Sequence, residues 1–250
     1  MSKPKIGIYG LTGCAGEQLT ILNCEDELLA IAQAVDIKSF VMAMTGNVET
    51  ELDIALVEGS VTQKKDLERL EDIRARSGLL IAIGTCAAWG GVQAMENKTP
   101  REDLIKKVYG ETGKTFESLP ALPLHEFVKV DFVIPGCPIE KEQFLKSLSY
   151  LLHGDIPLLP SYAVCTECKM KENECLLIKN DILCLGPVTV AGCNARCPSL
   201  NLPCIGCRGP VEEANVASEI DLLKKKGYNI TDIQKRLCTF TAPAEDIVMV

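Results

Sequence analysis

Eight cysteines fall between residues 165 and 207 in the spacing Cys165-x2-Cys168-x6-Cys175-x8-Cys184-x8-Cys193-x3-Cys197-x6-Cys204-x2-Cys207. They make two complete sets of four soft ligands. Thiols crowded this densely either pair as disulfides or wrap metal. The chain holds thirteen cysteines, an odd total, and opens directly on an apolar β-branched run. It has no charged n-region, apolar h-region or twin arginine, so the expected compartment is the cytoplasm, where thiols stay reduced. Metal is then the expectation, as iron–sulfur clusters or as structural zinc. Cys165-x2-Cys168 and Cys204-x2-Cys207 have the spacing of two zinc knuckles, whereas the long x6 and x8 gaps favour clusters.

Three more cysteines follow three apolar runs that read as strands: Cys14 in Gly-Leu-Thr-Gly-Cys, Cys86 in Gly-Thr-Cys-Ala, and Cys137 in Pro-Gly-Cys-Pro. In an open α/β sheet the loops at the carboxyl ends of the strands line one crevice, so these three thiols are expected to converge. Each has a glycine one or two residues before it, which lets backbone crowd a bulky inorganic group and leaves amides free to bond its sulfides. A cubane needs a fourth ligand. Glu17 stands where a Cys-x-x-Cys pair would put its second thiolate. Cys24 is the rival, about 10 Å further along the same helix at ~1.5 Å per residue. Glu17 also reads as an ordinary acid in a first helical turn. Glu58, closing a strand beside Gly59, reads either as a neighbour of this centre or as a helix cap.

Short β-branched runs alternating with helical patterns organise the first ~155 residues into a parallel sheet covered on both faces. Strands are expected at Lys5–Tyr9, Ser39–Ala43, Asp53–Val57, Leu79–Ile83 and Asp131–Ile134. Helices are expected over Glu17–Gln33, around Leu67, Leu70 and Ile73, from Pro100 to Gly110, and from Pro138 to Leu152. The fold class is therefore α/β: a flavodoxin-like, doubly wound domain over residues 1–155, followed by a small irregular cluster-bearing domain over 156–250. Pro157 and Pro160 mark the linker. The cysteine segment has hardly any apolar period and must be organised by its ligands. Helical periodicity returns with Val216, Ile220 and Leu223.

A formal charge of −8 and a pI near 5.0 argue against nucleic acid or an anionic membrane as partner. Leu79–Val92, about 14 residues broken by three glycines, is too short for the ~20 that span a bilayer, so no membrane anchor is expected. Gly10-x2-Gly13-x2-Gly16 lacks the dinucleotide spacing and a Walker lysine. His125 and His153 read as surface groups, and Cys24 and Cys238 as small buried apolar side chains.

Taken together, Glu58-Gly59-Ser60, Gly84-Thr85-Cys86-Ala87, Pro135-Gly136-Cys137-Pro138, Cys184-Leu185-Gly186-Pro187, Gly192-Cys193-Asn194-Ala195-Arg196-Cys197-Pro198 and Cys204-Ile205-Gly206-Cys207-Arg208-Gly209-Pro210 resemble the small subunit of nickel-iron hydrogenases, cytosolic members in particular. The resemblance spans nearly the whole chain. It implies three clusters that carry electrons between a nickel-iron site on a separate large subunit and an acceptor module bearing flavin or iron–sulfur centres. By motif, Cys14, Cys86, Cys137 and the position of Glu17 would hold the proximal cluster. Cys165, Cys168, Cys175 and Cys184 would hold the distal one, and Cys193, Cys197, Cys204 and Cys207 the medial one. Many relatives have histidine at the position of Cys165 and only three medial cysteines; two full thiolate quartets here imply three 4Fe–4S clusters. Glu17 replaces an expected cysteine, and an oxygen ligand should alter the proximal potential. Trp89 and its apolar neighbours are expected at the surface, under the large subunit. Two other readings stand beside this one. The cluster-bearing subunit of respiratory quinone reductases shares the sheet domain but lacks the eight-cysteine extension, and a zinc-stabilised interaction module would need no sheet-edge thiols.

Overall fold

The computed structural model describes residues 3–242. Five parallel strands, β1 (Lys5–Gly10), β2 (Asp36–Phe40), β3 (Leu52–Glu58), β4 (Ser77–Ile83) and β5 (Phe132–Ile134), form one sheet in the order β2-β1-β3-β4-β5. This is the flavodoxin-like winding. Side chains alternate across each strand, so β3 sends Ile54 and Leu56 to one face and Ala55 and Val57 to the other, and β4 divides Ile81 and Ile83 from Leu80 and Ala82 in the same way. Both faces are covered, which is why these strands read as continuous apolar runs.

Helices α1 (Gly16–Leu22), α2 (Glu25–Ala34), α3 (Lys64–Ala75), α4 (Gly84–Trp89), α5 (Arg101–Tyr109) and α6 (Lys141–Leu152) connect or flank the strands. Phe144, Leu148 and Leu151 of α6 join Ile21 of α1 on one face; Leu70 and Ile73 of α3 cover the other.

Two expectations shift in position. The second strand runs over Asp36–Phe40 and not Ser39–Ala43, because Asn47 Oδ1 accepts the Phe40 amide and the amides of Ala43 and Met44 turn back onto the Phe40 carbonyl. Val41 and Met42 are left exposed. The helix expected over Glu17–Gln33 breaks at Asn23 and Cys24: the buried Cys24 thiol donates to the Thr20 carbonyl, and Glu25, Asp26 and Glu27 open a new helix whose N-terminus favours them.

Beyond α6 the cysteine segment is built from short pieces, α7 (Val164–Met170), α8 (Leu176–Lys179) and α9 (Arg196–Ser199), closed by α10 (Val216–Lys225) and α11 (Ile230–Leu237). Val164, Leu185, Ile220, Leu223, Ile233 and Leu237 give it a core of its own. It sits against the sheet's crevice edge. There Thr85 Oγ1 donates to the Cys207 carbonyl at 2.5 Å, Arg208 to Gln143 of α6 at 2.7 Å, and Arg196 pairs with Glu140 at 2.6 Å. Trp89 belongs to this seam as well, in contrast to the surface position expected for it. A side chain added at Gly209 would begin 2.2 Å from its indole nitrogen, and that nitrogen is buried without a hydrogen-bond partner among the described residues.

Candidate metal centres

The first centre lies where β1, β4 and β5 end. Cys14 projects from the loop before α1, Cys86 from α4, and Cys137 from the loop after β5, where the Cys137–Pro138 bond is cis. The Thr85 amide donates to the Gly136 carbonyl at 2.7 Å, tying two of these loops together. Gln93 ties the third, since its Nε2 donates to the Thr12 carbonyl while its Oε1 accepts from the Cys86 thiol at 3.3 Å. A side chain at Gly91, where φ is +69°, would begin 2.4 Å from Cys86 Sγ, so only glycine fits.

Glu17 is 4% exposed and stands among these thiols. Burial, followed by the Glu17 charge, pushes Cys86 up to about 11; burial, then Glu17, Cys86 and Cys14, pushes Cys137 up to about 12. The Glu17 carboxyl is also held by Glu58. Burial first, then the hydrogen bond and charge of Glu58, raises Glu17 from 4.5 to about 8. Glu58 closes β3 and receives the amides of Glu17 and Gln18 at 3.1 and 3.2 Å and the Gln18 side chain at 2.8 Å. Of the two readings of Glu58, the cap is the one seen directly: it takes the first free amides of α1, and it meets the thiol group through Glu17. Cys24, 0% exposed, is turned into the core beside Ile21, and Cys238 is buried too.

The eight-cysteine segment gathers its thiols in two groups. Cys165 is pushed up to about 12 by burial and then by Cys184, Cys168 and Cys175. Cys207 is pushed up to about 11 by burial and then by Cys193 and Cys197, and Cys204 to about 12 by burial, with Cys184 and Cys207 adding to it. Buried thiols with so little tendency to ionise in water release their protons readily only to a metal, so the donor chemistry fits thiophilic centres. None of the thirteen cysteines forms a disulfide. Among the described residues no three His, Cys, Asp or Glu side chains close tightly enough for one ion.

Hydrogen bonds link the groups in turn, beginning with Thr85, beside Cys86, whose hydroxyl donates to the Cys207 carbonyl. The Cys204 amide donates to Cys184 Sγ at 3.2 Å, and the Leu185 amide returns a bond to the Cys204 carbonyl at 2.9 Å. Gly186 fills the corner, with Cys165 Sγ and Cys184 Sγ 3.1 and 3.6 Å from where its side chain would begin.

A family model described as "NADH ubiquinone oxidoreductase, 20 Kd subunit" matches residues 14–151, the sheet and its first thiol group. The structure of a NAD+-reducing [NiFe]-hydrogenase in its H2-reduced state superposes with a TM-score of 0.56 at 31% identity, over 63% of this chain and 96% of that one. Sulfhydrogenase 2 subunit delta of Pyrococcus furiosus is 43% identical over 221 residues, 88% of this chain and 92% of the relative. The chain belongs to the small-subunit family of nickel-iron hydrogenases. This hydrogenase small subunit is similar along almost its full length to a chain of the F420-non-reducing hydrogenase of Methanocaldococcus jannaschii, at 32% identity over 96% of this chain and 95% of that one. The [NiFeSe]-hydrogenase of Dm. baculatum shares the fold at 19% identity and a TM-score of 0.58.

Several residues that hold the small subunit's thiol groups in place carry no signal in the sequence. Glu167 accepts the amides of Gly192 and Ala195 at 2.8 and 2.9 Å, so a helix of one thiol group clamps the loop of the other. Thr85 and Gln93 act between loops far apart in the chain. Glu167, between Cys165 and Cys168, and Thr85, beside Cys86, lie inside the cysteine motifs, but the partners they hold are far away in the chain.

Proposed function

We propose that this small subunit conducts electrons one at a time between a nickel-iron large subunit, where dihydrogen and protons interconvert, and an acceptor module carrying flavin or iron–sulfur centres. Residues 1–155 would carry the proximal 4Fe–4S cluster on Cys14, Cys86, Cys137 and Glu17. Residues 156–250 would carry the medial cluster on Cys193, Cys197, Cys204 and Cys207 and the distal one on Cys165, Cys168, Cys175 and Cys184. When bound, such clusters supply redox sites at potentials set by their ligands, hydrogen bonds and burial, within roughly −700 to +450 mV.

The observation that carries this reading is the hydrogen-bonded linkage of the thiol groups, from Thr85, beside Cys86, to the Cys207 carbonyl and from the Cys204 amide to Cys184 Sγ. The chain's own residues brace that line. Thr85 pins the Cys207 peptide to the proximal loops, Glu167 fixes the loop before Cys197, and Trp89 fills the seam. A quinone-reductase-type role fits less well, because the eight cysteines of the 165–207 segment lie outside residues 14–151. A cytoplasmic setting accords with thirteen free thiols, and among the described residues no helix is long and apolar enough to cross a membrane.

Replacing Cys197 or Cys204 by Ser tests the relay in the complex purified without oxygen. Each change is expected to remove or alter the middle cluster's electron paramagnetic resonance signal and abolish dye reduction by dihydrogen, while hydrogen isotope exchange at nickel continues. Undiminished dye reduction with altered medial iron would sink the reading.

A further inference from the structure

Arg208 is the largest of the fully buried side chains, at 2% exposure. Burying a guanidinium is costly unless a carboxylate or several acceptors answer it, and arginine cannot escape by losing its proton. Here no carboxylate does. Nε donates to the Ala191 carbonyl at 3.0 Å and Nη2 to Gln143 Oε1 at 2.7 Å, whereas Nη1 is buried with no partner among the described residues. The two acids facing the guanidinium are engaged elsewhere, Glu167 with the amides of Gly192 and Ala195 and Glu140 with Arg196. What stands closest in the chain is sulfur. Arg208 follows Cys207 directly, and its Nη2 lies 2.6 Å from where a side chain of Gly192, the residue before Cys193, would begin.

We propose that Arg208 is the built-in counter-cation of the Cys193, Cys197, Cys204 and Cys207 centre, its free Nη1 donating to the sulfur of that centre and its charge raising the centre's reduction potential. The inference rests on the reading that these four cysteines hold an iron–sulfur cluster. The direction follows from charge: reduction adds an electron, and a fixed cation beside the centre stabilises the more negative state. Ala191 and Gln143 orient the fork from opposite sides of the seam, and Gly192 leaves the room it needs. Arg208 is thus a positioning and tuning residue, not a ligand.

The test is a redox titration of the oxygen-free complex, followed by electron paramagnetic resonance with iron and sulfide counted in parallel. Arg208→Gln should lower one midpoint only, by enough to shift the oxidised-to-reduced ratio at fixed poise about tenfold or more, roughly 59 mV for one electron. Arg208→Lys, which keeps the charge and loses the fork, should lower it by less. An unmoved midpoint with full iron content overturns the proposal. Should Arg208→Gln fail to assemble, Arg208→Lys decides, since an unshifted midpoint there refutes the sulfur hydrogen bond. A wild-type complex with no third cluster signal would instead refute the reading beneath the proposal.

Discussion

Glu58 does from across the sheet what a side chain at the start of α1 ordinarily does. Ala15, in the N-cap position with φ of +61°, offers no oxygen, and the Glu58 carboxylate takes the free amides of Glu17 and Gln18 in its place. A capping role for Glu58 was legible in the sequence, but the helix it caps was not, because Glu17 and Glu58, 41 positions apart, meet only once β1 and β3 pair. The thiols were legible, since ligands for such centres come in fours at short spacings. Arg208 was not: after Cys-x-x-Cys a lone basic residue reads as surface. A buried acid of the cysteine segment gives a pH prediction. Glu219 of α10 is 4% exposed, its Oε1 has no partner among the described residues, and burial lifts it from 4.5 to about 7. Because the folded state holds this proton more tightly than the unfolded chain, the stability it contributes is complete below about pH 4.5 and is lost as the pH rises through about 7. Glu219→Gln should flatten the fall in melting temperature across that window and raise it at pH 8. An unchanged pH profile would show that this carboxyl is solvated.

At the scale of elements, the parallel strands were readable because both faces are buried, which turns each into an unbroken apolar run. β2 misled because apolar Val41 and Met42 continue its run past the turn at Phe40. The pieces α7, α8 and α9 were invisible for a physical reason. At seven, four and four residues they are too short to show a period or to stand alone in water, and contacts from the rest of the segment hold them instead. Stripping iron from the oxygen-free protein with a chelator is therefore expected to loosen residues 164–207 while the sheet survives. Rapid amide hydrogen exchange confined to that segment would bear this out, and uniform protection across both parts would contradict it.

Across the whole molecule, the seam between sheet and cysteine segment is small and specific. Thr85→Val keeps the shape at its centre but leaves the Cys207 carbonyl without its 2.5 Å donor. The expected cost is about 1 to 3 kcal/mol, a fall of several degrees in the melting temperature of the assembled complex, with iron content unchanged. A variant that melts with the wild type would show that water replaces the hydroxyl. The family resemblance read from the motifs agrees with relatives that match both sides of this seam, whereas the contact of Trp89 with Gly209, 120 residues on, could be seen only in the fold.

The bond from the Cys204 amide to Cys184 Sγ, answered by Leu185 on the Cys204 carbonyl, makes the backbone of one residue a brace between the two thiol groups of the cysteine segment. A substitution that displaces residue 204 is therefore expected to propagate into both groups together, so a lesion at this spot should not stay local.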